Sequence, residues 1–189
     1  MASLLLCHSV LGLRDLERAA AERLRAAGHE VTTPDLYAGR TAPGIETGFA
    51  LRDAVGWDVM VARAAEAAET LPPDTVLAGF SMGAAVAAAL WPERPATAGL
   101  LLLHGLVAIP EGARPDLPVQ IHLAEPDPWE DEDFVTEWLD DARRARLALE
   151  VFRYPGVGHL FADPTLPDYG EDAAEAMWRR VLEFLGRIA

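Results

Sequence analysis

The segment Gly79-Phe80-Ser81-Met82-Gly83 fits the pattern G-x-S-x-G, in which a serine stands two residues from a glycine on either side. An apolar strand is predicted directly before it, over 75–78, and a helix of small residues directly after it, over 83–90. In a strand–turn–helix of this kind the serine adopts a strained backbone conformation and presents its Oγ as a nucleophile. The pattern therefore favours nucleophilic catalysis by Ser81 over the alternative, a glycine turn that only packs well.

A serine hydroxyl needs a general base, because it is a weak nucleophile at neutral pH. In motifs of this type an acidic residue and then a histidine follow the serine along the chain. His122 alternates within an apolar strand, where a structural role is expected. His159 lies in a glycine-rich loop just past the last predicted strand. Because ligands bind at the carboxyl ends of parallel strands, His159 is the predicted base.

The acidic partner is predicted in the loop after the fifth strand. Asp127 lies three residues past the end of that strand, between Pro126 and Pro128, which stiffen the loop. There it would orient the imidazole and stabilise the imidazolium that forms on proton transfer. Glu125 is the nearest alternative. The other acidic residues here are expected to complement the dipole at the N-terminus of the next helix; they are Glu130, Asp131, Glu132 and Asp133. Asp163 is close to the histidine in sequence but follows it, which breaks the expected order.

Acyl transfer also requires hydrogen-bond donors for the developing oxyanion. The backbone N–H of Met82, directly after the nucleophile, is the first expected donor. The second is expected from the loop after the first strand, as the N–H of Val10 or of Leu11, with Gly12 permitting the turn. Both alternatives stay open, since any residue other than proline supplies the same backbone N–H and the sequence does not distinguish the two positions.

Short apolar runs alternate with helical patterns along the chain, which predicts one domain over 1–189. Strands are expected at 3–7, 30–33, 75–78, 98–103, 119–124 and 147–154, and helices at 13–27, 50–71, 82–91, 133–144 and 171–188. Continuously apolar strands between helices indicate a parallel sheet covered on both faces. The predicted fold class is therefore a three-layer α/β structure with about six mostly parallel strands and helices on both faces.

All 16 basic residues are arginines, against 30 acidic residues, so the formal net charge is -14. This balance argues against general attraction to nucleic acid or to an anionic membrane. The absence of lysine excludes a phosphate-binding P-loop lysine and a Ser-Lys dyad. With one cysteine and no 18-residue apolar run, we expect a cytoplasmic protein without a disulfide, as a monomer or homodimer. No cofactor and no metal is predicted.

Five short segments, distributed along most of the chain, resemble the dienelactone hydrolase family of α/β-hydrolases. They are Ser9–Leu13, Pro34–Tyr37, Gly79–Ala84, Ala124–Pro128 and Tyr154–Phe161. The resemblance implies a hydrolase that acts on ester bonds, with Ser81, Asp127 and His159 as a catalytic triad. The family's typical nucleophile is cysteine, where this chain has Ser81. Its namesake enzymes have a glutamate where this chain has Ser9.

These two departures point to a simpler serine esterase that cleaves a small ester, lactone or thioester. The alternative function is a ligand-binding or interaction protein that retains the fold without catalysis. Among further substrate-binding candidates, Arg40 and Arg52 follow the second strand, where either could hold a carboxylate in bidentate fashion. Solvated surface arginines are the alternative for both.

Four more side chains are candidates for the wall of a substrate pocket. His104 ends the predicted fourth strand, and Trp57 lies in the predicted helix over 50–71. Trp129 and Phe161 lie in the two loops that carry the acid and the base. Aromatic side chains commonly line ligand pockets. Packing in the core or at the surface is the alternative for each of them.

Overall fold

The computed structural model of the chain describes residues 1–188. Its six strands are β1 (Ser3–Cys7), β2 (Glu30–Thr32), β3 (Val76–Phe80), β4 (Leu100–Leu103), β5 (Pro118–Glu125) and β6 (Ala148–Pro155). They form one sheet in the order β2-β1-β3-β4-β5-β6, and every neighbouring pair is parallel. The predicted sheet is thus confirmed. All residues of β3 and β4 are buried, as expected for central strands covered on both faces.

Six helices cover this sheet. They are α1 (Asp15–Ala26), α2 (Ile45–Val55), α3 (Trp57–Glu69), α4 (Met82–Ala89), α5 (Glu132–Arg144) and α6 (Glu171–Ile188). Apolar residues of α3, α4 and α5 belong to one buried cluster, and those of α1 and α6 belong to a second. Since successive strand residues such as Leu5 and Leu6 fall into different clusters, the two clusters lie on opposite faces of the sheet.

One predicted element was wrong. The apolar spacing over 50–71 predicted one long helix, but the structure has two, beginning at Ile45 and interrupted at Gly56. Gly56 has φ 87°, a left-handed conformation that ends α2 and turns the chain into α3. The periodic pattern continues through the break because both helices turn apolar residues toward the same cluster, so the spacing alone did not reveal it.

The sheet determines where chemistry can be placed. Because the strands are parallel, the loops after β1, β3, β4, β5 and β6 all leave the same edge. Those loops begin at His8, Ser81, His104, Pro126 and Gly156. Within residues 1–188, none of the helices has both the length and the apolar composition needed to cross a membrane.

Candidate functional site

The turn between β3 and α4 holds Ser81 in a strained conformation, with φ 50° and ψ -117°. Two glycines make this turn possible. A Cβ on Gly79 would lie 2.2 Å from the carbonyl carbon of Gly83, and a Cβ on Gly83 would lie 2.3 Å from the His8 carbonyl oxygen. Any side chain at either position would therefore force β1, β3 and α4 apart. The geometry is that of an exposed nucleophile on a tight strand-to-helix turn.

Ser81, His159 and Asp127 lie in one line of hydrogen bonds. The Ser81 Oγ is 2.8 Å from His159 Nε2. On the other side of the ring, His159 Nδ1 is 2.9 and 2.8 Å from the two carboxylate oxygens of Asp127. Since a carboxylate only accepts, Nδ1 carries the proton and Nε2 is free to accept the serine proton. The Asp127 and His159 side chains are only 3% and 7% exposed, so the pair is shielded from water.

Backbone contacts hold the two loops of this pair in place. The N–H of Trp129 donates to Asp127 Oδ1 at 3.0 Å. In the histidine loop, the Asp168 carboxylate accepts the N–H of Leu160 at 3.1 Å, and the Asp168 carbonyl accepts the N–H of Gly158 at 3.2 Å. The residues on both sides of His159 are therefore held by Asp168, which sequence reasoning missed because it lies nine positions beyond the histidine.

The loop after β1 is organised by Glu17, whose carboxylate is fully buried. Its Oε1 accepts the hydroxyl of Ser9 at 3.0 Å, and its Oε2 accepts the N–H of Arg14 at 3.1 Å. The Ser9 hydroxyl in turn accepts the N–H of Leu11 at 3.3 Å. The Leu11 N–H thus points into the loop. Of the two predicted second donors, Val10 is the one that lines the cavity beside Ser81.

Two further side chains support the same loop. His8 Nε2 accepts the N–H of Leu36 at 3.0 Å, so its proton lies on Nδ1, which donates to the Ser9 carbonyl at 2.7 Å. Burial lowers the pKa of His8, which favours this neutral form. The Tyr37 hydroxyl donates to the Val10 carbonyl at 3.2 Å. The loop is therefore held from the sheet, from α1 and from the segment after β2.

A cavity of about 700 Å³ opens above Ser81. Of the predicted site residues, it is lined by Val10, Arg52, Ser81, Met82, His104, Trp129 and His159. Asp127 lies behind His159 and is not part of the cavity lining. Phe161 is fully buried and packs edge-on against the His104 ring, with centroids 4.4 Å apart, so it supports the wall and does not line it. Among residues 1–188, no cluster of three His, Cys, Asp or Glu side chains is arranged to hold a metal ion.

The model of the dienelactone hydrolase family matches residues 2–189. The chain belongs to this family. Solved structures agree on the fold. A dienelactone hydrolase-like promiscuous phosphotriesterase from metagenomic libraries is similar at 19% identity and a TM-score of 0.77, over 100% of this chain and 87% of that one. No curated protein matches the sequence.

Two esterase structures are also similar. Esterase PE8 has 18% identity and a TM-score of 0.63, over 100% of this chain and 93% of that one. A phospholipase/carboxylesterase from Dyadobacter fermentans has 17% identity and a TM-score of 0.62, over 96% and 90%. The family match identifies a hydrolase of ester bonds, and these neighbours agree with it on the α/β-hydrolase fold.

The two predicted arginines of this dienelactone hydrolase family member lie in different places. Arg52 lines the cavity, but its guanidinium is paired with Asp53 at 2.7 Å and packs over the Phe49 ring at 4.8 Å. Arg40 is exposed, donates from Nε to the Tyr37 carbonyl and is not part of the cavity lining. The prediction that Arg40 binds substrate therefore gains no support from its position.

His104 forms part of the cavity floor and is almost completely buried. Neither ring nitrogen has a hydrogen-bond partner within residues 1–188. Burial, together with the neighbouring His159, lowers the pKa of His104 well below its ordinary value, so the ring is neutral. It stacks on Phe80 with centroids 6.0 Å apart, so it is an aromatic part of the cavity wall that is itself supported by the core.

Glu130 is a cavity residue that sequence reasoning assigned to the helix terminus. Its Oε1 accepts the N–H of Leu106 at 2.9 Å, which holds the half-buried carboxylate over Gly105, close to the Ser81 backbone. Burial raises the pKa of Glu130, and the nearby Asp127 contributes in the same direction. In the sequence, only the position of Glu130 next to Trp129 in the acid loop indicates that it lines the cavity.

Proposed function

We propose that this family member is a serine hydrolase that cleaves a small ester, lactone or thioester through an acyl-Ser81 intermediate. The observation that carries the proposal is the line of hydrogen bonds from Ser81 through His159 to Asp127, at 2.8 Å on each side of the imidazole. A protein that only binds a ligand has no need of a serine hydroxyl aligned with a histidine whose tautomer is fixed by a buried carboxylate.

The reaction begins when Ser81 Oγ attacks the carbonyl carbon and His159 Nε2 takes the hydroxyl proton. Asp127 stays ionised and stabilises the imidazolium. The carbonyl oxygen becomes an oxyanion, which accepts hydrogen bonds from the N–H groups of Met82 and Val10. His159 then gives its proton to the leaving alcohol or thiol, which departs and leaves the acyl group on Ser81.

Deacylation repeats these steps with water. Water attacks the acyl carbon while His159 Nε2 accepts its proton, and the oxyanion forms again in the same place. When the tetrahedral intermediate collapses, Ser81 Oγ leaves and takes that proton back. The net reaction is hydrolysis of one ester bond, with the enzyme returned to its starting state.

The test combines active-site labelling with turnover of short p-nitrophenyl esters. A fluorophosphonate should add once to the folded protein, at Ser81. The Ser81→Ala variant should not be labelled, and its kcat/KM should be at least about 10³-fold lower than that of the wild type. The chain has two other serines, and Ser3→Ala is the matched control. Ser3 is the first residue of β1 and therefore lies at the end of that strand away from the cavity. Unlabelled folded protein without turnover would favour the ligand-binding alternative.

A further inference from the structure

The cavity walls carry more negative than positive charge. Arg52 is the only arginine among the lining residues of the described chain, and Asp53, its ion-pair partner, lines the cavity beside it. The two charges offset one another. Arg153, in the neighbouring strand β6, is paired with Glu125 and Glu132. Within residues 1–188 no arginine is paired with Glu130, so its carboxylate is the uncompensated charge of the cavity.

The Glu130 carboxylate is also fixed in direction. The Leu106 N–H donates a hydrogen bond to Oε1, and Oε1 lies over the Cα of Gly105. A Cβ on Gly105 would in turn be 3.6 Å from the Cα of Ser81, which places the carboxylate near the reacting atoms. An anionic group bound in this cavity would therefore meet a like charge that has no local counter-ion and is partly desolvated.

Aromatic side chains surround the remaining space. Trp129 packs edge-on against Phe49, with centroids 5.3 Å apart, and against His159 at 6.3 Å. Trp57 and Trp129 are 45% and 52% exposed, although large apolar side chains are ordinarily covered. Aromatic faces next to a carboxylate are the arrangement that recognises ammonium groups, through cation–π attraction and direct charge pairing.

We propose that Glu130 and Trp129 select substrates that carry an ammonium group and disfavour those that carry a carboxylate. This inference rests on the proposed esterase function and specifies its substrate class as a cationic ester. The net charge of -14 acts in the same direction at long range, since it attracts cations toward the protein and repels anions. The arginine-bound carboxylate expected from the sequence is the competing interpretation.

The decisive experiment compares ligands of one shape and different charge. Choline, its neutral isostere 3,3-dimethylbutan-1-ol and the anion 3,3-dimethylbutyrate are titrated into the full chain at pH 8, with tryptophan fluorescence as the readout. The wild type should bind choline about tenfold more tightly than the neutral alcohol, and the anion most weakly. In Glu130→Gln the preference for choline should fall to about twofold or less.

Hydrolysis supplies a second readout for the same comparison. For butyrylcholine against 3,3-dimethylbutyl butyrate, the ratio of kcat/KM should fall about tenfold in Glu130→Gln. Glu137→Gln is the matched control, because Glu137 is an exposed residue of α5 outside the cavity lining. That variant should keep the ratio of the wild type.

Three results would overturn the inference: equal binding of choline and the alcohol by the wild type, a preference that survives in Glu130→Gln, or strongest binding of the anion that is lost in Arg52→Gln. The fluorescence titration needs no turnover. A charge preference without ester hydrolysis would therefore count against the proposed function alone, and hydrolysis without a charge preference would count against this inference alone.

Discussion

The two sides of the cavity are built in different ways. The sheet-side wall comprises Val10, Ser81, Met82, His104 and His159, which follow the carboxyl ends of β1, β3, β4 and β6. Apart from His104, the polar groups there are held by short hydrogen bonds to buried partners. The helix-side wall comprises Phe49, Arg52 and Trp57 of α2 and α3, together with Trp129 of the acid loop, which packs against Phe49. These are aromatic or ion-paired side chains with substantial exposure.

The difference separates the chemistry from the choice of substrate. Catalytic groups must be held within a fraction of an ångström, which the fixed backbone of the sheet edge provides. Apolar contacts tolerate more variation in position, because dispersion and hydrophobic attraction have little directionality. Changes in the sheet-side wall are therefore expected to alter kcat, and changes in the helix-side wall to alter KM.

The largest effect is expected from Asp127→Asn. The amide no longer favours the tautomer with the proton on Nδ1, so kcat should fall about 10³- to 10⁴-fold with little change in KM. Steady-state kinetics on a neutral p-nitrophenyl ester measures this, and circular dichroism checks the fold. Glu125→Gln, an exposed neighbour, should stay within twofold of the wild type. Similar losses in both variants would argue against a specific role for Asp127.

Glu17→Gln tests whether the loop after β1 is set by its buried carboxylate. The amide offers a single acceptor oxygen where Ser9 and Arg14 now have two, and its NH₂ group faces donors. The Val10 N–H would be displaced, and kcat should fall about tenfold to a hundredfold with KM nearly unchanged. Binding of a trifluoromethyl ketone, which mimics the tetrahedral intermediate, should weaken by the same factor.

The control for Glu17→Gln is Glu22→Gln on the exposed face of the same helix, which should behave as wild type. If Glu17→Gln does not fold, Ser9→Ala serves instead, since it frees the Leu11 N–H and leaves the carboxylate in place. A loss of stability with unchanged ketone affinity per folded molecule would show that Glu17 only caps α1.

Acidification should lower the free energy of unfolding through the buried histidines of the chain. Burial lowers the pKa of His8, His104 and His122, that of His122 to about 3. Each stays neutral in the folded chain but takes up a proton in the unfolded chain below about pH 6.5. For His122 the stabilising contribution is therefore complete above pH 6.5 and is lost progressively as the pH falls toward 3.

At pH 5 this loss amounts to about 2 kcal/mol for one such histidine. Urea unfolding at pH 7.5 and pH 5.0 should therefore show that His122→Gln loses about 2 kcal/mol less on acidification than the wild type. His29→Gln, at a less buried histidine, should change the pH dependence by a smaller amount. An equal loss in wild type and His122→Gln would mean that His122 is protonated in the folded protein.

The smallest effect is expected from Trp129→Ala on the helix side. Removing the ring takes away an exposed apolar surface next to Phe49 without touching the hydrogen bonds of Ser81 or Asp127. KM for a neutral ester should rise about threefold to fivefold and kcat should stay within twofold. Phe134→Ala, an exposed aromatic residue of α5 outside the lining, is the control. A fall in kcat would instead assign Trp129 to the positioning of Asp127.

Sequence patterns predicted the turns and loops at the sheet edge better than the helices and the segment that cover them. The Ser81 turn, the loop of Asp127 and the loop of His159 follow from chain order, glycine spacing and strand ends, which are local features. The break at Gly56 and the assignment of Arg40 depended on how two helices pack over the sheet, which local periodicity does not encode.

Residues that act through a second residue were the hardest to predict. Glu17 matches an ordinary acidic residue in the first turn of a helix, and Asp168 lies in a proline-rich loop without a motif. Their importance arises from burial and from acceptors aimed at particular N–H groups, which exist only once α1 and the loop before α6 are placed. Glu130 was assigned to the helix terminus for the same reason.

The Ser9–Val10 peptide has a further property that follows from its carbonyl end. The Ser9 oxygen accepts from both His8 Nδ1 and the Gly12 N–H, at 2.7 and 3.2 Å. Electron density drawn toward an accepting oxygen leaves the N–H at the other end of the amide more positive, so the bonds reinforce one another. The acidity of the Val10 N–H is thus tuned from inside the protein, by an imidazole that never meets the substrate.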